Sequence, residues 1–229
     1  MSLKIRSQIL SSVGGVVYGF LDRSSGEEDI VGIARAFGLE SIVTLKQVHG
    51  NRVWVVKDAF AKDVGWHKGD GLITNLRGVG IGVFTADCAP ILFVDESSLV
   101  VAAVHAGWRG TLSKVVKSAL WEFRKVFGIP SSRVYAVIGP SIGRCCYEVG
   151  GDVASLFIKE FGKDMPFLYK GKNSKYVLDI KEANSTILRC EGVERVEVIE
   201  VCTRCNKDFY SYRRDGKGSG RQLSFIGLV

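Results

Sequence analysis

Residues 100–116 read VVAAVHAGWRGTLSKVV. Five apolar residues lead into His105, Ala106-Gly107-Trp108-Arg109-Gly110 bends the chain, and Thr111 opens a helical pattern. An unbroken apolar run suits a strand covered on both faces. The spacing of TLSKVVKSALWEFRKVFG (111–128) predicts an amphipathic helix that stops at Gly128. Strand, glycine turn and helix in succession are the building unit of α/β folds. The imidazole sits on the turn itself, where a rigid sheet usually presents reactive groups.

Working outward, the same alternation continues. VGIGVFTADCAPILFVDE (79–96) is two apolar strands interrupted at Asp87-Cys88-Ala89-Pro90, and SIVTLKQVHGNRVWVVKD (41–58) is two β-rich runs around His49-Gly50-Asn51. EEDIVGIARAFGLE (27–40), 152–161 and 181–191 read as helices, while GLITN, SSRVYAVIGP, YVLDI and VERVEVIEV read as strands. The Gly14-Gly15 pair predicts a turn between two strands, and FYSYRRDGKGSGRQLSFIGLV (209–229) predicts two more around a Gly/Ser/Lys loop. The expectation is one α/β domain of the α+β type over residues 1–229, with layered mixed β-sheets flanked by helices.

Composition narrows the function classes. Of 229 residues, 46% are hydrophobic and 24% charged, as in folded soluble domains. The net charge is +7, with much of the basic excess in RCNKDFYSYRRDGKGSGR (204–221). No nucleic-acid module accompanies it, so the expected partner is an anionic small molecule rather than nucleic acid. No run reaches the ~20 apolar residues of a membrane span. Lys4 and Arg6 precede ILSSVGGVVYGFL as in a secretion signal, but the glycines break the apolar part and Asp22-Arg23 follow in place of a cleavage site. A cytoplasmic location is expected. The six cysteines fit a reducing compartment, and Cys202-x-x-Cys205 is a single pair, whereas a closed zinc site needs four ligands.

Three strand ends carry chemistry: His49 in KQVHGN, Cys88 in FTADCAP and His105 in VAAVHAG. Each alone is as well explained as a packed thiol or a hydrogen-bonded ring. Taken together, two imidazoles and a thiolate form a borderline-soft set suited to Zn2+ or Cu2+, with a fourth position left for water or substrate. Arg109 and Gly110, on the turn beside His105, are candidates for an anion or phosphate site. Asp87, next to Cys88, is a candidate for proton transfer, and Arg144 and Tyr147 in a second glycine turn are further binding candidates. His67 reads as a surface residue and Asp179 as a helix cap.

The motifs KQVHGNRV, DGLITN, TADCAPILFVD, VAAVHAGWRGTL, IGPSIGRCCYEVG and CTRCNKDFYSYRRDGKGSGRQLSFIGL together resemble the YfiH family, also called laccase-domain or multicopper polyphenol oxidase-like. The resemblance runs from about Lys46 to the C-terminus. It implies a layered α/β fold related to cytotoxic necrotizing factor toxins and a metal, usually zinc, held by His49, Cys88 and His105. It also implies purine nucleoside phosphorylase activity on adenosine, inosine and methylthioadenosine, with adenosine deaminase activity beside it. The alternatives are a metal-free cysteine hydrolase or amidase with Cys88 as nucleophile, copper-dependent polyphenol oxidation, and a non-enzymatic metal-storing domain. With three histidines in the chain, the roughly ten needed by a blue-copper plus trinuclear laccase centre are not supplied. The oligomeric state is not readable from the chain.

Overall fold

The computed structural model describes residues 5–25, 29–57, 67–95, 97 and 99–229. The first element is a helix, α1 (Gln8–Ser12), followed by strand β1 (Val16–Phe20). The expected strand pair at Gly14-Gly15 is therefore a helix–strand unit. Ser7 caps the helix by accepting from Leu10 N–H, and Glu197 accepts from Ser7 Oγ and from the Gln8 and Ile9 amides, so a local cap wins over strand pairing. Helix α2 (Ile30–Ala36) is capped by Asp29 and is shorter than the expected 27–40, of which Glu27 and Glu28 lie outside the described residues.

Strands β2 (Ser41–Val43), β3 (Val53–Val55), β4 (Gly71–Thr74), β5 (Val79–Thr85), β6 (Ala89–Asp95) and β7 (Val100–Ala106) follow. The helix expected over 111–128 is two: α3 (Trp108–Leu112) begins within the turn, and α4 (Val115–Phe127) starts after Lys114, whose φ of 56° breaks the spiral. Ser113 Oγ donates to Arg109 O and Gly110 O, the local competition that ends short helices. Strands β8 (Val134–Ile138) and β9 (Glu148–Val149), helix α5 (Gly151–Phe161), strands β10 (Leu168–Lys170) and β11 (Tyr176–Leu178), helix α6 (Ile180–Cys190) and strand β12 (Arg195–Val198) come next. Near the C-terminus, the first arm of the expected strand pair is instead a short helix, α7 (Tyr212–Asp215), capped by Ser211; strand β13 (Gln222–Leu228) closes the chain.

The strands form three sheets, ordered β12-β8-β6-β7-β4-β3, β1-β13-β5-β2 and β10-β11-β9. The first two stack face to face. Alternate residues of the central strands decide which layer each side chain enters. Leu92, Val94, Val101 and Ala103 meet Ile81, Val83, Ile226 and Leu228 between the two sheets. Ile91, Phe93, Ala102 and Val104 face the other way, onto Val116, Ala119, Leu120 and Phe123 of α4 and Ile187 and Leu188 of α6. On the far side Ile33 and Ala34 of α2 cover Leu223 and Phe225. Four layers result, helix–sheet–sheet–helix, which is why β6 and β7 are apolar at every position but few. The fold is α/β with mixed sheets flanked by helices, as expected.

Candidate active site

The site forms where the chain passes between the stacked sheets. β5 belongs to the four-stranded sheet and β6 to the six-stranded one, so Ala86-Asp87-Cys88 is the corner that joins them. Asp87 holds a φ of 90° there. Its carboxylate accepts from Thr203 Oγ1 at 2.7 Å and from Arg213 N–H at 2.6 Å, anchoring the corner to the C-terminal arm. Cys88 follows directly, and the β6–β7 register sets Pro90 opposite His105.

His105, the last residue but one of β7, is nearly fully buried, and its Nδ1 lies 2.8 Å from Oδ1 of Asp70. Asp70 is inaccessible and also accepts backbone N–H groups of Val48, His49 and Gly50, at 3.3, 2.9 and 2.7 Å. One carboxylate thus fixes the ring of His105 and the loop of His49, whose φ of 60° is tolerated because those three amides are satisfied. Burial alone would raise the Asp70 carboxyl; the hydrogen bonds from His105 and Gly50 outweigh it and hold the group below the usual carboxylate range.

The two rings stand edge to face with centroids 4.7 Å apart, and ligand atoms of His49, Cys88 and His105 all lie within 4.8 Å of one another. A Cβ on Gly107 would sit 3.0 Å from both Cys88 Sγ and His49 Cδ2, so the backbone itself walls the cluster. Burial opposes ionisation of the Cys88 thiol, yet the two imidazoles bring it down to about 6. Burial also opposes charging of His105, which Cys88 and Asp70 raise to about 9. The donor set fits a metal: two nitrogens and a sulfur close enough to share one ion, with Asp70 engaging His105 Nδ1 and leaving Nε2 available as a ligand atom.

The cluster lies in a cavity of about 400 Å3 lined also by Gln47, Phe84, Thr85, Asp87, Ile142, Tyr147 and Tyr212, with Arg213, Lys217, Ser219 and Arg221 from the C-terminal arm. Burial, and the negative Cys88 beside it, keep the Tyr147 hydroxyl protonated, against the pull of Arg213, whose guanidinium is 5.2 Å from the ring.

Of the residues expected at the site, His49, Cys88, His105, Asp87 and Tyr147 converge on this cavity. Arg109 and Gly110 are not among its lining residues. The Arg109 guanidinium lies over the Trp108 ring at 4.1 Å, and a Cβ on Gly110 would come within 3.1 Å of Gly50 O in the His49 loop. Arg144 lines a separate cavity with Asp179, Lys181 and Glu200. His67, expected at the surface, is half-buried edge to face against Trp54 at 4.4 Å. Asp179 caps α6 as expected. Gly107, whose missing side chain suggests a close backbone approach, does stand against the cluster; Asp70 has no role in the sequence reading, and its one signal is an Asp-Gly before a short buried strand.

The sequence profile of the multi-copper polyphenol oxidoreductase laccase family matches residues 22–229. A purine nucleoside phosphorylase of Clostridium acetobutylicum is 34% identical over 209 residues, covering 90% of this chain and 85% of that protein. The adenosine deaminase RL5 of an unknown prokaryotic organism is 36% identical over 200 residues, covering 83% and 75%. Among solved structures, YlmD from Geobacillus stearothermophilus superposes with a TM-score of 0.82 at 32% identity, covering 94% of this chain and 93% of that one.

Proposed function

The chain belongs to the multi-copper polyphenol oxidoreductase laccase family, and from that membership and the geometry of its cavity we propose that it is a zinc-dependent purine nucleoside phosphorylase with adenosine deaminase as a second activity. The observation that carries the reading is the joining of a two-imidazole, one-thiolate cluster to a cationic rim in a single nucleoside-sized cavity. The substrates are adenosine, inosine and methylthioadenosine, with phosphate. His49, Cys88 and His105 would hold the ion, which supplies Lewis-acid polarisation when bound.

The remaining work falls to side chains. Arg213, Lys217 and Arg221, which line the cavity, would draw phosphate into it and orient it toward the ribose. Phosphorolysis forms a bond from a phosphate oxygen to C1′ while the glycosidic electron pair leaves with the purine. Positive charge builds on the sugar, where the Asp87 carboxylate would stabilise it, and negative charge builds on the base, where the protonated Tyr147 hydroxyl can donate. Asp87 would also relay protons, its two known hydrogen bonds leaving a lone pair on each oxygen.

Incubating metal-quantified protein with adenosine, with and without phosphate, tests this. Ribose 1-phosphate and adenine are expected with phosphate, inosine without it, and both should vanish in His105→Ala. Absence of all three products overturns the proposal.

A second reading has one observation behind it. Cys88, His105 and Asp70 stand in the order nucleophile, base and orienting acid of a cysteine hydrolase. Metal content separates the two: a tightly held equivalent per chain occupies the thiolate, whereas a metal-free protein with fast Cys88 alkylation and esterase or amidase turnover selects the hydrolase.

A further inference from the structure

We infer that the chain carries a second, structural metal site, a four-cysteine clasp for a zinc-like divalent cation formed by Cys145, Cys146, Cys202 and Cys205. One Cys-x-x-Cys is half of a closed site; the fold supplies the other half. The four sulfurs all lie within 4.8 Å of one another, with Cys145 Sγ and Cys146 Sγ at 3.7 and 3.4 Å from Cys205 Sγ. Tetrahedral zinc with bonds of about 2.3 Å to sulfur sets its ligands roughly 3.8 Å apart. These separations are of that size, and all four cysteines are free thiols.

The surroundings are built for such a centre. The two turns are held side by side by the Ser141–Cys202 bridge, with Thr203 N–H donating to Ser141 O. Gly143 donates its N–H to Cys202 Sγ at 3.2 Å, and a Cβ there would come within 3.3 Å of Cys145 Sγ and 3.2 Å of Cys202 Cβ. Arg204 Nη1 donates to Cys146 Sγ at 3.3 Å, and Arg144 and Lys181 line the cavity beside Cys145 and Cys202. Four thiolates around a dication carry a net charge of −2, part of which Arg204 offsets by donating directly to Cys146 Sγ, while Lys181 is paired with Glu200 at 3.8 Å.

The clasp ties the second glycine turn to the C-terminal arm. Tyr147 follows Cys146 directly, and Arg213 donates through Nη1 to Glu148 O at 3.0 Å and Cys146 O at 3.5 Å. An ion at the clasp would therefore stiffen one wall of the active cavity without touching its contents. The inference stands independently of the substrate assigned to that cavity.

The test is metal stoichiometry. Reduced, metal-stripped full-length protein is titrated with zinc, desalted and quantified by plasma mass spectrometry. Two equivalents per chain are expected in the wild type, one in Cys202→Ser/Cys205→Ser, and one in His49→Ala/His105→Ala. X-ray absorption at the zinc edge of the latter variant should show a shell of four sulfurs at about 2.3 Å. A single equivalent in the reduced wild type that persists in Cys202→Ser/Cys205→Ser overturns the inference, as does a second equivalent that survives loss of Cys202 and Cys205, whereas a single equivalent lost in that variant supports the clasp and counts against metal at the His49 cluster. A disulfide among the four with no metal uptake after reduction overturns it equally.

Discussion

Asp70 carries more of the site than any ligand does. Fully buried, it meets His105 Nδ1 and the amides of Val48, His49 and Gly50, so one side chain positions two candidate ligands 56 residues apart in sequence. Asp70→Asn keeps the volume but removes the charge and turns a donor toward the ring; competition with a chelator should show zinc affinity falling ~10–100-fold, as for other partners of metal-bound histidines. Gly107 is the converse case. Its φ of −76° is open to alanine, but the added methyl would meet Cys88 Sγ and His49 Cδ2. Gly107→Ala is expected to leave the thermal midpoint nearly unchanged and to lower metal affinity roughly tenfold or more. Cys88 itself reports occupancy: iodoacetamide should label it at neutral pH in the stripped protein, and one equivalent of zinc at this site should abolish that labelling, mapped by peptide mass.

Among the elements, the corner between β5 and β6 explains why the ligands sit where they do. A chain leaving one sheet for the other in three residues must adopt a conformation that most side chains avoid, and Asp87 at φ 90° is held there by Thr203 and Arg213. Strands β6 and β7 serve as the rigid base. Leu92, completely buried between the sheets, supports that base without reaching the cavity. Leu92→Ala should lose about 2–5 kcal/mol in urea unfolding. Metal stoichiometry in the folded variant should not change, which separates stability from site chemistry.

For the whole molecule, the charge of +7 gathers meaning from its distribution. Lys217 and Arg221 line the cavity that holds His49, Cys88 and His105, so Lys217→Glu/Arg221→Glu should raise the KM for phosphate roughly tenfold, the difference shrinking as salt screens it. The central strands, helices α4 to α6, three metal-ligand candidates and the basic arm were legible in the chain because each is written in local patterns: apolar runs, helical spacing, glycines at strand ends. The strand pairs expected at Gly14-Gly15 and at 209–229 were misread because caps by Ser7 and Ser211 override a turn signal. Arg109 and Arg144 are next to site residues in sequence; in the structure Arg109 lies over Trp108, and Arg144 lines a separate cavity. The sequence by itself determined the reactive groups and the alternation that builds the sheets. Only the tertiary structure decided which groups meet, setting Asp70 against His105 and bringing Cys145 and Cys146 to Cys202 and Cys205. Convergence depends on strand order and on the crossing between stacked sheets, and these are set by long-range burial that no local pattern encodes.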